Sequence, residues 1–303
     1  MSIEWPTVSI VMPVFNGAKL IQRAIDSVRQ QAYPNLELMV MDASSTDGTQ
    51  AILRANEDFL TWVSEPDQGQ SDALNKGFGR ATGQYLTWLN ADDFLYPGAL
   101  QHSLEVFEAN PEVALVYGRV NLVHRDGSLL RDDHNVAMGA LEIALRGNPF
   151  ISQPGTLFTH AAWEACGPLQ IDLHYCMDWD LWIKIMKSFP IKYTSRTLAA
   201  QAVYPETKTS MGGLPRYEEI RHMIESHGGS AADTYFKIGY WYYRHNQMQA
   251  ARKNFVQSLR RGSKLYLRRQ LINLILKTYL GGRIVGVGRN IRRRFLAKHS
   301  PKV

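Results

Sequence analysis

Over roughly its first 120 residues the chain alternates short, β-rich apolar runs with apolar residues at helical spacing, and this alternation restricts the fold more than any other feature. Val8–Phe15 is followed by Leu20, Ile21, Ala24, Ile25 and Val28 at helical intervals. Leu36–Met41 precedes a helix carrying Ala51, Ile52 and Ala55, and Leu60–Ser64 precedes a helix from about Ser71. Tyr85–Leu89 then leads to a helix through Leu100, Leu104 and Phe107. Repetition of this kind predicts a mostly parallel sheet with helices on both faces.

The later chain is less regular. Val113–Val123, turned at Asp126-Gly127, reads as a hairpin arm, and Met138 to about Tyr204 mixes short helices with strands. Pro205–Pro215, with Gly212-Gly213, is the expected linker to an all-helical tail starting near Arg216. The division expected is an α/β domain over 1–210 and a helical extension over 211–303. Within the extension, Tyr235, Ile238, Gly239, Tyr242, Ala251, Phe255 and Ser258 fall at the large, small and aromatic positions of one tetratricopeptide-like helix pair. No second copy follows, so a single helical hairpin is expected.

With 303 residues and 45% apolar content the chain can bury a large core. The only cysteines are Cys166 and Cys176, and no basic-led apolar leader opens the sequence, which predicts a reducing, cytoplasmic setting. No charge-free apolar run reaches the length of a spanning helix. Charge is unevenly placed: the last acid is Asp233, and residues 234–303 carry 17 Lys and Arg. The remaining 17 bases face 28 acids in residues 1–233, leaving that segment at −11. Such a tail suits a polyanion.

Ligands of open α/β sheets bind beyond the carboxyl ends of strands, so residues directly after the apolar runs are the ones to inspect. These are Pro13-Val14-Phe15-Asn16, Asp42, Glu65-Pro66-Asp67 and Asn90-Ala91-Asp92-Asp93. Adjacent ionised carboxylates repel, so Asp92 and Asp93 at a cleft would recruit a hard divalent cation, Mg²⁺ or Mn²⁺, and through it a diphosphate. The alternatives are that either residue caps the helix starting near Pro97, and that Asp42 holds the turn toward Thr46. Asp47-Gly48 reads as turn chemistry. The first strand-to-helix turn has one glycine, which disfavours a dinucleotide fingerprint, and no P-loop signature occurs.

Val8-Ser9-Ile10-Val11-Met12-Pro13-Val14-Phe15-Asn16-Gly17, Asp42-Ala43-Ser44-Ser45-Thr46-Asp47-Gly48-Thr49 and Trp88-Leu89-Asn90-Ala91-Asp92-Asp93 resemble family 2 glycosyltransferases in order and spacing. Glu65 to Gly77 is similar to that family's segment between the second and fourth strands, and the resemblance covers residues 7 to about 205. It implies a glycosyltransferase-A fold, a nucleotide-diphosphate sugar donor, UDP above all, and inversion at the anomeric carbon. It further implies nucleotide contacts at Pro13, Val14, Phe15, Asn16, Asp42, Asp72, Asn75, Asn90, Ala91 and Asp92. Asn90 stands where the family's metal motif has its first Asp, which shifts the expected ligands to Asp92 and Asp93. By the same carry-over Asp178, in Tyr175-Cys176-Met177-Asp178-Trp179-Asp180, aligns with the general base, with Asp180 as runner-up. A carboxylate there can take the proton of an attacking hydroxyl, although an Asp so placed could equally cap the following helix. Gln153-Pro154-Gly155-Thr156-Leu157-Phe158 resembles the strand that floors the acceptor side.

Leu267, Leu271, Leu274 and Ile275 lie at helical spacing beside Arg268, Arg269 and Lys277; Ile284, Ile291 and Phe295 follow with Arg289 and Arg292 to Arg294. Both segments read as basic and amphipathic, which suits an anionic membrane surface, or else packing on the first domain. No nucleic-acid motif accompanies the charge, so no nucleic-acid partner is expected. The expected function is sugar transfer, of the hexosyltransferase type, to a glycan or lipid-linked acceptor in cell-surface polysaccharide synthesis, peripheral to the membrane. The alternative is a catalytically silent sugar-nucleotide domain carrying a helical interaction module.

Overall fold

The computed structural model describes residues 5–133, 141–148, 150–262 and 265–279. The chain divides into two compact units, Met1–Ala144 with Pro149–Met211, and Leu145–Asn148 with Gly212–Val303.

In the first unit the apolar runs become strands and the helically spaced runs helices, in the expected order. The elements are β1 (Val8–Val14), α1 (Ile21–Arg29), β2 (Leu36–Asp42), α2 (Thr49–Arg54), β3 (Thr61–Ser64), α3 (Gln70–Phe78) and β4 (Tyr85–Trp88). Then follow β5 (Phe94–Leu95), α4 (Ala99–Glu108), β6 (Leu115–Val123), β7 (Leu129–Asp133) and α5 (Leu141–Ala144). A 3-10 turn (Gln153–Gly155), β8 (Thr156–Thr159), α6 (His160–Cys166), α7 (Met177–Ser188), β9 (Ile191–Ala202) and α8 (Lys208–Met211) complete it. The sheet order is β3-β2-β1-β4-β8-β6-β9-β5, with β7 on β6.

β1 pairs in parallel with β2 and β4, and β2 with β3, whereas β8 runs antiparallel to both β4 and β6. The sheet is therefore mixed. β6 does turn into β7 near Asp126-Gly127, but it is an interior strand between β8 and β9 rather than an arm. The cause is its run Leu115-Val116-Tyr117, buried throughout, which needs cover on both faces.

Period-two alternation assigns the faces of β1. Val8, Ile10, Met12 and Val14 pack with Ile21, Ala24, Ile25 and Val28 of α1 and with Leu100, Leu104 and Phe107 of α4. Val11 faces α3, where a Cβ at Gly77 would lie 2.4 Å from Val11 Cγ1, so glycine sets the closeness of helix and strand. Elsewhere in the core Trp88 stacks on Trp182 of α7 at 5.4 Å between centroids, and Phe158 meets Trp182 edge-on at 5.7 Å. Both cysteines are free and buried.

The second unit holds α9 (Gly213–Ser226), α10 (Ala232–Arg244), α11 (Met248–Arg260) and α12 (Leu265–Tyr279). Most of the supposed linker is thus helical, in α8 and at the start of α9. In the α10–α11 hairpin, Gly239 lies against Phe255 and Ser258 Oγ donates to the Ala232 carbonyl at 2.7 Å. Leu271, Leu274 and Ile275 of α12 pack with Ala251 and Phe255, so the apolar face read from its sequence is spent on the hairpin. Ile272, Leu276 and Tyr279 face outward, 48%, 55% and 65% exposed. Leu267, and the basic segment from Gly281 onward with Ile284, Ile291 and Phe295, lie outside the described side chains. Among the described residues no helix is long and apolar enough to cross a membrane.

Candidate active site

The register β1 to β2 sets Val14 beside Asp42, and the register β1 to β4 brings the end of β4 to the same edge. Two loops there are tied together by short polar side chains. The Asn16 N–H donates to Ser45 Oγ at 2.8 Å, and Asn16 Oδ1 accepts from the Thr46 N–H at 2.9 Å. Asn16 holds a φ of 51°, which Asn tolerates better than most residues. Phe15, beside it, is 67% exposed. Asp42 is buried; its carboxylate accepts from the Ser45 N–H at 3.1 Å and from Ser64 Oγ at 2.6 Å. The turn-holding role open to Asp42 in the sequence is therefore realised.

On α3, Asp72 accepts from the Gln68 N–H at 3.0 Å and pairs with Lys76 at 3.1 Å. The Gln68 hydrogen bond, with help from Lys76, holds its carboxyl below the usual range. The Asn75 side chain both donates to the Leu169 carbonyl and accepts from the Leu169 N–H, each at 2.8 Å. Its amide ties α3 to the loop leading into α7. Ser71 Oγ reaches the Leu173 carbonyl of that loop at 3.4 Å.

Asn90-Ala91-Asp92-Asp93 is the densest part of the edge. Neither Asp caps α4, whose N-cap is Gly98. Asn90 accepts from Gln70 Nε2 at 2.7 Å and donates to Asp93 Oδ2 at 3.0 Å. Lys208 Nζ donates to Gln70 Oε1 at 3.1 Å, extending the chain of bonds to α8. Asp93 Oδ1 accepts from the Ala202 N–H at 2.9 Å and the residue is only 2% exposed. Burial, then the charge of Asp92, holds the Asp93 carboxyl well above the usual range. With both oxygens hydrogen-bonded, Asp93 braces the turn that carries Asp92.

Asp92 is the carboxylate left to the cleft. Its Oδ2 accepts from the Tyr204 hydroxyl at 2.8 Å, and its backbone carbonyl from Arg23 Nη2 at 2.9 Å. Burial raises its carboxyl, opposed by the Tyr204 hydrogen bond and by Arg23 and Arg125. Tyr204 is itself pushed up to about 12, mainly by burial and then by Asp92, so it remains a donor. The Arg125 guanidinium sits 4.3 Å over its ring. Arg23, Gln70, Tyr204 and Lys208 were not legible as site residues. Tyr204 and Lys208 lie over 100 residues from Asp92 and 138 from Gln70 respectively, and only the sheet brings them in.

Asp178 lies in the first turn of α7, half-buried, with Oδ1 accepting from the Trp179 N–H at 2.9 Å; the N-cap is Cys176. Asp178 is not the cap. The loop before it passes α3 at Ser71 and Asn75, and α3 reaches Asn90 through Gln70, so the segment leading to Asp178 is tied to the same edge. Four residues on, Trp182 shares its helix face and stacks on Trp88, immediately before that edge. Asp180 is 1% exposed and pairs with Lys184 at 2.7 Å. It is a core ion pair and unsuited to meet an acceptor. Gln153 Nε2 donates to the Trp88 carbonyl at 2.6 Å, fixing the turn into β8.

Residues 9–150 match the family model described as glycosyl transferase family 2. An uncharacterised glycosyltransferase of Rickettsia prowazekii is 28% identical over 227 residues, 72% of this chain and 71% of the relative. Among solved structures, S. aureus TarS 1–349 in complex with UDP-GlcNAc aligns with a TM-score of 0.56 at 15% identity, over 90% of this chain and 80% of that one. A Pyrobaculum calidifontis mannosyltransferase in complex with GDP-Man and Mn²⁺ aligns with a TM-score of 0.59 at 22% identity, over 90% and 81%. The architecture is the glycosyltransferase-A fold.

Proposed function

Because the chain belongs to glycosyl transferase family 2 through residues 9–150, we propose that it moves a sugar from a nucleotide-diphosphate donor, UDP-linked in the first instance, onto an acceptor hydroxyl with inversion. The transferase domain is placed at 1–210, with 211–303 as its helical extension. The observation that supports the reading is that Asp42 ends β2 and the 90–93 turn follows β4 at one carboxyl edge of the sheet, to which the loop preceding Asp178 is tied through Ser71 of α3. UDP-GlcNAc and GDP-Man in two structures of the same fold support a nucleotide-sugar donor.

A cation fits the residues in one respect. Asp92 is a desolvated carboxylate beside a second one, which a positive charge would relieve. Among the described residues no three carboxylate, His or Cys side chains converge as ligands, so Mg²⁺ or Mn²⁺ would rest on Asp92 and the donor's own phosphate oxygens, as Mg²⁺ commonly does. Bound there, it would offset the charge that builds on the departing nucleoside diphosphate. Tyr204 and Arg23 hold Asp92 in place. Pro13 to Asn16 and Asp42 shape the nucleotide end. Asp178 takes the proton of the acceptor hydroxyl as its oxygen bonds the anomeric carbon and the carbon–phosphate-oxygen bond breaks.

The acceptor proposed is a glycan or lipid-linked hydroxyl of a cell-surface polymer, met at the cytoplasmic membrane face. The outward Ile272, Leu276 and Tyr279 of α12 support peripheral attachment, together with the bases of the tail. Calorimetry with a panel of nucleoside diphosphates, with Mn²⁺ and with excess chelator, tests the donor reading. UDP should bind tighter with Mn²⁺; equal affinity in both conditions removes the cation, and no binding of any nucleotide removes the donor.

A further inference from the structure

We propose that a recess beside Asp92 is a phosphoryl-binding subsite, taking a phosphate group carried by the acceptor. The word acceptor rests on the transferase reading; the anion site does not. The recess measures about 580 Å³ and lies between Lys19-Leu20 before α1, the β6–β7 turn, and Val203 to Pro205 after β9.

Its chemistry is asymmetric. Leu20, Val203 and Pro205 supply apolar lining, and Lys19, His124 and Arg125 supply donors. Asp126 is the acid of the lining, and its Oδ1 is already used by the Ser128 N–H at 2.9 Å and Ser128 Oγ at 2.6 Å. Those bonds hold its carboxyl below the usual range. Lys19 is exposed and makes no ion pair among the described residues. Arg125 pairs with Glu206 at 3.3 Å, but the two side chains are 50% and 64% exposed, and so open a pair competes weakly with an incoming phosphate. An arginine fork beside a lysine matches a phosphoryl group better than a neutral sugar.

The recess is also built to stay in shape. Arg23 Nη1 donates to the Arg125 carbonyl at 3.0 Å, pinning the turn that carries His124 and Arg125. Tyr204, which lines the recess, donates to Asp92, so an occupant would sit one side chain away from the proposed reaction centre. The donor's nucleoside is expected elsewhere, along β1, β2 and α3 with Asp42 and Asp72, with its diphosphate reaching only as far as Asp92, on the other side of Tyr204 from the recess.

The test uses the full chain in excess chelator, so that no cation recruits phosphate to Asp92. Inorganic phosphate and decyl phosphate are titrated as probes, with octyl glucoside as the uncharged control. Both phosphates should bind, octyl glucoside should not, and a Lys19→Ala/His124→Ala double variant should weaken both by about tenfold or more, as loss of charge-assisted bonds predicts. Tighter binding of decyl phosphate would identify a lipid-borne phosphate, and equal binding a phosphoryl group without a lipid. Lys19→Arg should keep most of the affinity that Lys19→Ala loses. Unchanged affinity in the double variant, displacement by excess UDP, or equal binding of octyl glucoside would overturn the proposal. Donor hydrolysis, measured in parallel, should be unaffected by the double variant. If hydrolysis is absent from the parent protein while the phosphate pattern holds, the transferase reading fails and the subsite stands.

Discussion

Asp178 and Asp180 lie two residues apart on α7, and the structure assigns them opposite consequences when each is changed to Asn. Asp180 is 1% exposed and 2.7 Å from Lys184, whose side chain is 28% exposed. Breaking a fully buried pair costs about 3–5 kcal/mol because one charge is left stranded. Lys184 can partly turn to water, so about 1–3 kcal/mol is expected for Asp180→Asn, or a fall of roughly 2–10 °C in melting temperature for a domain of this size. Asp178 is half-buried at the first turn, and one of its bonds, to the adjacent N–H, is one that Asn can also make through its oxygen. Asp178→Asn should leave the melt nearly unchanged while lowering turnover by roughly 10²- to 10⁴-fold, with donor affinity kept. Scanning calorimetry and a nucleotide-release assay on both variants separate the two. Near-normal turnover in a stable Asp178→Asn protein would refute the assignment; so would a stable Asp180→Asn protein with Asp178-like loss of turnover.

Three further outcomes follow from the same geometry. Asp93 has a folded-state carboxyl raised above its unfolded value, so in chelator its contribution to stability should fall as pH rises from the ordinary carboxyl range toward that raised value. The melting temperature of the parent relative to Asp93→Asn, followed against pH, checks the sign, and a difference independent of pH would contradict it. Gly77→Ala should cost about 1–3 kcal/mol by overpacking Val11, read by denaturant titration, and an unchanged midpoint would mean that α3 can retreat without loss. Truncation before Lys264 should release the protein from anionic vesicles in a sedimentation assay, whereas retained binding would place attachment elsewhere.

The strand ends of the first half were legible because β1, β2 and β4 are largely apolar and a polar residue stands at or within two positions of each end, at Asn16, Asp42 and Asn90. The second half resisted because β6 and β9 are long partners far apart in sequence, and nothing local reveals that β6 is interior. The same distance hid Tyr204 and Lys208. Their contacts with Asp92 and Gln70 exist only once β9 has been laid beside β6. The bracing contact of Asp93 was hidden for the same reason: its spacing beside Asp92 suggested a ligand pair, and nothing local revealed that the Ala202 N–H, 109 residues away, would bond its carboxylate. α12 shows the limit of amphipathic patterning, since Leu271, Leu274 and Ile275 meet the hairpin and cannot also meet a membrane.

The central claim is that one carboxyl edge performs inverting sugar transfer. Proton NMR of the full chain turning over a nucleotide sugar with Mn²⁺ tests it most directly, because the anomeric signal reports bond breaking and stereochemistry together. Donor consumption should stop in Asp92→Asn, and the first-formed product of the parent protein should have the opposite anomeric configuration to the donor. A product of retained configuration, or a donor that binds and stays intact for every nucleotide sugar tried, would contradict it.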